Sequence, residues 1–167
     1  MSALPLATSS RGRRWRTAVY AVVVALWVGS LWTVGYLVAP VLFSYLHADR
    51  SLAGNLAGAV FSVETKLGLA CAALVLALRF ARSGGRALRE WQTVVVLAMA
   101  AITLVGYLAV TPLLVDLKAG ALAAEGVEVM RSTLASRFAF WHGVSSVLYL
   151  IQSLLGAALV ASLRSEP

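Results

Sequence analysis

Charged residues are scarce in this sequence. They make up 13% of its 167 residues, against 60% hydrophobic residues, and the mean hydropathy is +0.85. A soluble domain carries about 25% charged residues, so this chain has too little charge to cover a surface that faces water. The composition therefore excludes an ordinary soluble domain and predicts a protein whose main partner is the lipid bilayer.

Cysteine and histidine are also rare, with one cysteine, Cys71, and two histidines. A single cysteine excludes an internal disulfide, and it leaves no cluster of sulfur ligands for copper. The chain has no GxSxG elbow, P-loop, GxGxxG, HExxH or CxxC motif. We therefore lean against an enzyme and predict no cofactor and no metal site. His47 and His142 keep a haem- or metal-dependent membrane protein open as an alternative.

What the sequence does have is four long apolar runs. Each exceeds the roughly 20 residues that cross a hydrocarbon core, where helices satisfy the backbone hydrogen bonds. Short connectors favour antiparallel neighbours. The sequence predicts an all-α integral membrane protein, an antiparallel four-transmembrane-helix bundle without an internal repeat. We expect a single domain at 17–163, spans at about 17–46, 53–81, 91–115 and 138–163, tails at 1–16 and 164–167, and an outer loop at 116–137 with a short helix on the membrane surface.

Basic residues are distributed unequally between the two sides of the predicted bundle. Nine arginines in the two tails and the second connector lie on one side, and four basic residues lie on the other. The positive-inside rule then places both termini in the cytoplasm, and we expect the bacterial inner membrane. Since the net charge of +7 follows from this orientation, we predict no nucleic-acid partner.

One face of the fourth span is polar, because its polar residues follow one another at steps of three or four. On the second span, Glu64 shares a face with the small residues Ala57, Gly68 and Cys71. Polar groups that face lipid without a partner cost several kcal/mol each, so both faces should point into the bundle or a water-filled pocket. We expect Glu64 to meet Lys66, His142 or water. The pocket candidates are His142, Ser145, Ser146, Tyr149, Glu64 and Gln152, with His47, Lys66, Thr111 and Pro112 as secondary candidates.

Glycines suggest close helix packing. Gly54 and Gly58 form a GxxxG match, which lets another backbone approach, and we add Gly143 as a packing residue. This motif supports a second hypothesis, in which the chain is a structural or assembly subunit. It would then dock another membrane protein or further copies of itself.

Three segments resemble a known family: VAPVLFSYL at 38–46, LAGNLAGAVF at 52–61 and FAFWHGVSSVLYL at 138–150. The most specific part is Phe138 with His142-Gly143 and Ser145-Ser146. Together they resemble the bacterial four-span membrane proteins of unknown function related to eukaryotic transmembrane protein 205. The resemblance implies a polytopic membrane protein with no settled activity and no agreed cofactor. The leading hypothesis from the residues is an outward-facing polar pocket that binds or passes a small molecule, an ion or a lipid headgroup.

Overall fold

The computed structural model describes residues 8–163, with side-chain surroundings from Arg14 onward. Within that range all regular secondary structure is helical, as the sequence predicted. The helices are α1 (Thr8–Thr33), a π-helical turn (Val34–Val38), α2 (Ala39–Tyr45), α3 (Arg50–Ser83), a 3-10 turn (Gly84–Arg89), α4 (Trp91–Val105), a second π-helical turn (Gly106–Val110), α5 (Thr111–Glu125), a 3-10 turn (Val129–Arg131) and α6 (Ala135–Ser162).

These elements join into four continuous stretches that are long and apolar enough to cross a membrane. We call them span 1 (Arg14–Tyr45), span 2 (Arg50–Arg89), span 3 (Trp91–Glu125) and span 4 (Ala135–Ser162). All four contribute to one central core, in which large side chains interlock. That core contains Tyr20, Val24, Trp27, Val28, Cys71, Ala72, Val75, Val96, Met99 and Leu159.

Local sequence signals set the helix ends. The Asp49 carboxylate accepts a hydrogen bond from the Leu52 amide at 2.8 Å and so caps the start of span 2. Gly126 ends span 3 with a φ of 66°, and its amide bonds the Leu122 carbonyl. This left-handed conformation is open to glycine at low cost, which explains why the helix stops there.

Span 3 is longer than the sequence predicted. Residues 116–125 continue the helix as the end of α5, and they do not form a separate helix on the membrane surface. The physical reason is the apolar stripe of Leu117 and Ala121, which packs within the protein against Val129, Leu134 and Phe138. A helix of 35 residues is about 52 Å long, which exceeds the roughly 30 Å hydrocarbon core. Its last turns therefore extend past the core of a bilayer.

Spans 1 and 3 each contain one π-helical turn, at Val34–Val38 and Gly106–Val110. In both, the amide after the turn bonds a carbonyl five residues back. Pro40 and Pro112 follow the turns at the same spacing. Proline has no amide hydrogen and its ring crowds the preceding helical turn, so the turn before each proline widens.

Two short sequence matches accompany the π-helical turns and form an internal repeat, where the sequence predicted none. Residues 34–37 and 105–108 both read VGYL. Near the far ends of the partner helices, AALVLALR at 72–79 matches AALVASLR at 157–164 in six of eight positions. Spans 1 and 2 therefore form one helix pair, and spans 3 and 4 form a second, related pair.

Arg79 is buried, with 6% of its surface exposed, and it ties three spans together. Its Nε donates to Thr93 Oγ1 at 2.7 Å, and the guanidinium also donates to the Tyr20 hydroxyl and to Gln92 Oε1, each at 3.1 Å. It forms an ion pair with Glu90. The sequence predicted this arginine only as an orientation charge, yet it satisfies polar groups from spans 1, 2 and 3.

We expect Arg79→Met to lower the free energy of unfolding by about 2–4 kcal/mol, since it removes the donor to the buried Thr93 hydroxyl and the partner of Glu90. Thermal melting of detergent-solubilised protein measures the loss. Arg86→Met, in the exposed connector, is the matched control and should stay within about 0.5 kcal/mol of the parent protein. Equal effects of the two substitutions would contradict the stabilising role of the buried guanidinium.

Glu90, between spans 2 and 3, should make stability depend on pH. The Ser83 hydroxyl, and then the Arg79 and Arg82 guanidinium groups, hold the pKa of Glu90 below its ordinary value of 4.5. A carboxyl with a lowered pKa stabilises the fold above its unfolded pKa, and this contribution disappears as the pH falls through the folded value. We expect the melting temperature of the parent protein to drop more steeply below pH 4.5 than that of Glu90→Gln. Parallel acid profiles for the two proteins would refute this.

Candidate functional site

Glu64 lies near the middle of α3, and only 6% of its surface is exposed. It shares a buried face with Ala57, Gly68 and Cys71, which agrees with the small-residue face read from the sequence. Among the described residues, none donates a hydrogen bond to Glu64 Oε1. Buried polar atoms without a partner are rare in proteins, and ionisable ones inside a membrane mark functional positions.

Trp27 of span 1 provides the second unpartnered polar atom. Its side chain is fully buried, and its Nε1 finds no acceptor among the described residues. A Cβ added at Gly68 would stand 2.8 Å from Trp27 Nε1 and 3.7 Å from Glu64 Oε1. The unpartnered donor and acceptor therefore both lie beside Gly68, where the Trp27 ring fills the position that a side chain would take.

Tyr149, a predicted pocket residue, is half-buried and packs against span 1. Its ring occupies the position where a Cβ of Gly35 would stand, and its hydroxyl donates to the Leu31 carbonyl. The Phe61 ring packs edge-on against it, with centroids 5.3 Å apart. Tyr149 and Glu64 are close enough to interact electrostatically. The phenol thus forms one wall of the site, with its hydroxyl committed to the backbone.

The half of the polar stripe that follows Tyr149 along span 4 also faces inward. Gln152 and Ser153 are both buried. Gln152 Nε2 donates to Thr103 Oγ1 of span 3 at 2.9 Å, and Ser153 Oγ donates to the Tyr149 carbonyl at 2.9 Å. These polar groups therefore already have protein partners, and they connect spans 3 and 4.

The other half of the stripe is less buried: His142 and Ser146 are exposed and Ser145 is half-buried. That these residues line a pocket stays a prediction. Phe138 and Trp141 pack against Leu117 and Ala121, which turns the neighbouring His142 outward. The exposed imidazole stacks on Phe138, with centroids 5.9 Å apart. The structure therefore does not bring His142 to Glu64.

The remaining pocket candidates of this end sit around His142. Ser146 is exposed, and its hydroxyl donates to the His142 carbonyl at 2.9 Å. Ser145 is half-buried. The Lys118 ammonium lies 5.8 Å from the ring of Phe138, on which His142 also stacks. This end of the protein carries a cluster of accessible polar groups, separate from the buried Glu64.

The secondary candidates stand apart from the buried site, and all are exposed: His47, Lys66, Thr111 and Pro112. A ring nitrogen of His47 lies 3.1 Å from the Ser44 carbonyl, so the imidazole closes the end of its own helix. Among residues 8–163, no three His, Cys, Asp or Glu side chains come together as a group that could hold a metal ion.

The three predicted packing glycines make little contact within this chain. A Cβ at Gly54 would approach only Lys118 Nζ, at 3.7 Å, and one at Gly58 or Gly143 would meet open space. Close helix contact occurs instead at Gly68 and at Gly156, where a Cβ would lie 3.1 Å from Val28. Contact between copies through the three predicted glycines stays a prediction.

The related glycines of the two π-helical turns give a matched test of the site wall. Gly35→Ala should displace the Tyr149 ring and lower the free energy of unfolding by about 1–3 kcal/mol. Gly106→Ala meets nothing within 4 Å and should be neutral or stabilising by up to about 1 kcal/mol. Thermal melting in detergent compares the two, and a Gly106→Ala protein as unstable as Gly35→Ala would contradict the packing described.

A family model described as "Domain of unknown function (DUF4149)" matches residues 22–123, more than half of the chain. The matched stretch contains Trp27, Gly35, Glu64 and Gly68 and ends before span 4. The chain matches no curated protein and no solved structure. The match carries no link to transmembrane protein 205, so that resemblance stays a prediction. On the extent of the match, the chain belongs to the DUF4149 family.

Proposed function

We propose that this protein is a multi-pass membrane protein that binds or passes a small polar molecule or ion at Glu64, inside the four-span unit. The observation that carries the proposal is the pair of unpartnered atoms, Glu64 Oε1 and Trp27 Nε1, which both lie beside Gly68. A buried polar atom without a partner costs about 1–3 kcal/mol. A bound species that offers both a donor and an acceptor removes both penalties at once.

The proposal includes the orientation predicted from the charges: an antiparallel bundle in the bacterial inner membrane, with both termini in the cytoplasm. The contacts support the antiparallel part, because Tyr20 meets Arg79 while Trp27, further along span 1, meets Gly68, earlier in span 2. The excess of arginine at the end of the bundle that contains Arg79 supports the placement of that end on the cytoplasmic side. The exposed His142 then lies toward the outer face, where polar solutes could first be held.

Native mass spectrometry of the purified protein tests the proposal. We expect the parent protein to carry a small bound species that the Glu64→Gln variant lacks, because the glutamine amide cannot bind that species as the carboxyl group does. Glu128→Gln, at an exposed position, is the matched control and should keep it. A bound species that is equally abundant in all three proteins would place the site elsewhere, and a chain that carries nothing under gentle ionisation would exclude binding of any species larger than a proton.

A second candidate function, a structural or assembly subunit, is favoured by one observation. Gly58 and Gly143 are exposed and face open space, which leaves room for the backbone of another helix. The partner could be a second copy or another membrane protein. The same spectra distinguish a monomer from a complex, and they would also reveal bound haem or metal, the remaining alternative.

A further inference from the structure

We infer that the species exchanged at Glu64 is a proton: the carboxyl group takes up and releases a proton inside the protein, and Trp27 is a positioning residue for it. The inference rests on the proposed function, because it names the ligand of that same site. Three observations lead to it: the absence of a nearby cation, the presence of an indole donor, and the internal repeat.

Charge neutrality gives the first argument. Carboxylates in a low-dielectric interior need a compensating charge. The titratable groups that face Glu64 are Tyr149 from span 4 and Cys71 from its own helix, and neither is a cation. The part of span 3 at Trp91–Val105 has no ionisable side chain, and span 1 contributes Trp27. Lys66 is exposed, and no described residue neutralises the charge of the Glu64 carboxylate. A proton or a bound cation must therefore neutralise it.

The indole donor distinguishes between these two. Trp27 Nε1 carries a hydrogen with partial positive charge, and it lies beside Gly68, as Glu64 Oε1 does. An N–H group beside a metal cation is unfavourable, since it has no lone pair to offer. Beside a carboxylate, or a water that bridges to one, the same N–H group is stabilising. The site therefore suits a carboxyl group that alternates between its acid and ionised forms.

The internal repeat gives the third argument. The alignment of residues 72–79 with 157–164 can be extended toward the N-terminus without a gap. Glu64 then aligns with Tyr149. Equivalent positions of the two helix pairs thus bring one acid and one phenol into the same cluster. The Tyr149 hydroxyl donates a hydrogen bond to the Leu31 carbonyl, so its hydrogen already has an acceptor. This leaves the Glu64 carboxyl as the exchanging group of the pair.

Labelling with dicyclohexylcarbodiimide tests the inference on the full-length protein in membranes. This apolar reagent takes the proton of a neutral carboxylic acid onto its own nitrogen while the carboxylate oxygen adds to its central carbon, and the adduct rearranges to a stable N-acylurea. Peptide mass spectrometry locates it. We expect labelling at Glu64 that falls as the pH rises, by roughly tenfold per pH unit once the carboxyl is mostly ionised. The matched control Glu125→Gln, at an exposed position, should label at Glu64 as before.

Trp27→Phe keeps an aromatic ring and removes the N–H group, so labelling of Glu64 should persist to a higher pH, because the ionised form loses a donor. A purely structural role for the indole would leave the pH profile unmoved. No adduct at Glu64 in the folded protein, while the SDS-unfolded chain labels there, would overturn the inference. So would labelling that does not change with pH, or protection by sodium ions at constant pH.

The two proposals fail separately. A bound molecule that depends on Glu64, together with no carbodiimide adduct, removes the proton and keeps the binding site. Labelling with the expected pH profile, together with no bound molecule in the mass spectra, keeps the proton and removes binding of any larger solute.

Discussion

The demand that every polar atom inside a membrane protein find a partner organises this structure. Arg79 meets it through Tyr20, Gln92 and Thr93, and Gln152 meets it through Thr103. Serine and threonine hydroxyls inside the spans bond carbonyls of their own helices, as Thr103 does with Met99. Against this background, the unpartnered Glu64 and Trp27 atoms stand out. Trp27 belongs to the central core, and Glu64 lies two helical turns before the core residue Cys71, so the unpartnered atoms lie inside the helix bundle.

Two glycines make the close packing around Glu64 possible. Gly68 lets the Trp27 ring lie directly against span 2 near Glu64, and Gly35 lets the Tyr149 ring lie directly against span 1. Neither glycine belongs to the GxxxG match that the sequence offered as a packing signal. The difference is physical: a motif states where a backbone could be approached, whereas Gly68 and Gly35 lie on the inner faces where a neighbour is present.

The sequence was enough to predict the four apolar helices and the small-residue face of Glu64, because both follow from hydropathy and helical spacing alone. It also predicted that Tyr149 and Gln152 face inward. It could not predict the direction of His142, because that depends on how Phe138 and Trp141 pack against the extension of span 3. The sequence also did not predict the full length of span 3, because the weak apolar stripe of Leu117 and Ala121 fits a helix on the membrane surface equally well. Trp27 was missed because a tryptophan in an apolar run gives no sign of an unsatisfied indole until its neighbours are known.

The repeat shows how the site arises from two similar helix pairs. Both pairs carry VGYL before a proline, and both have a π-helical turn there. They differ inside: the turn at Gly35 is covered by Tyr149, whereas nothing covers Gly106. With an acid at Glu64 and a phenol at the equivalent Tyr149, the buried cluster holds one carboxyl group where an exact repeat would hold two. Two carboxyl groups so close together would repel each other when ionised. With a phenol at the second position, the cluster has a single carboxyl group, and no second carboxylate opposes its ionisation.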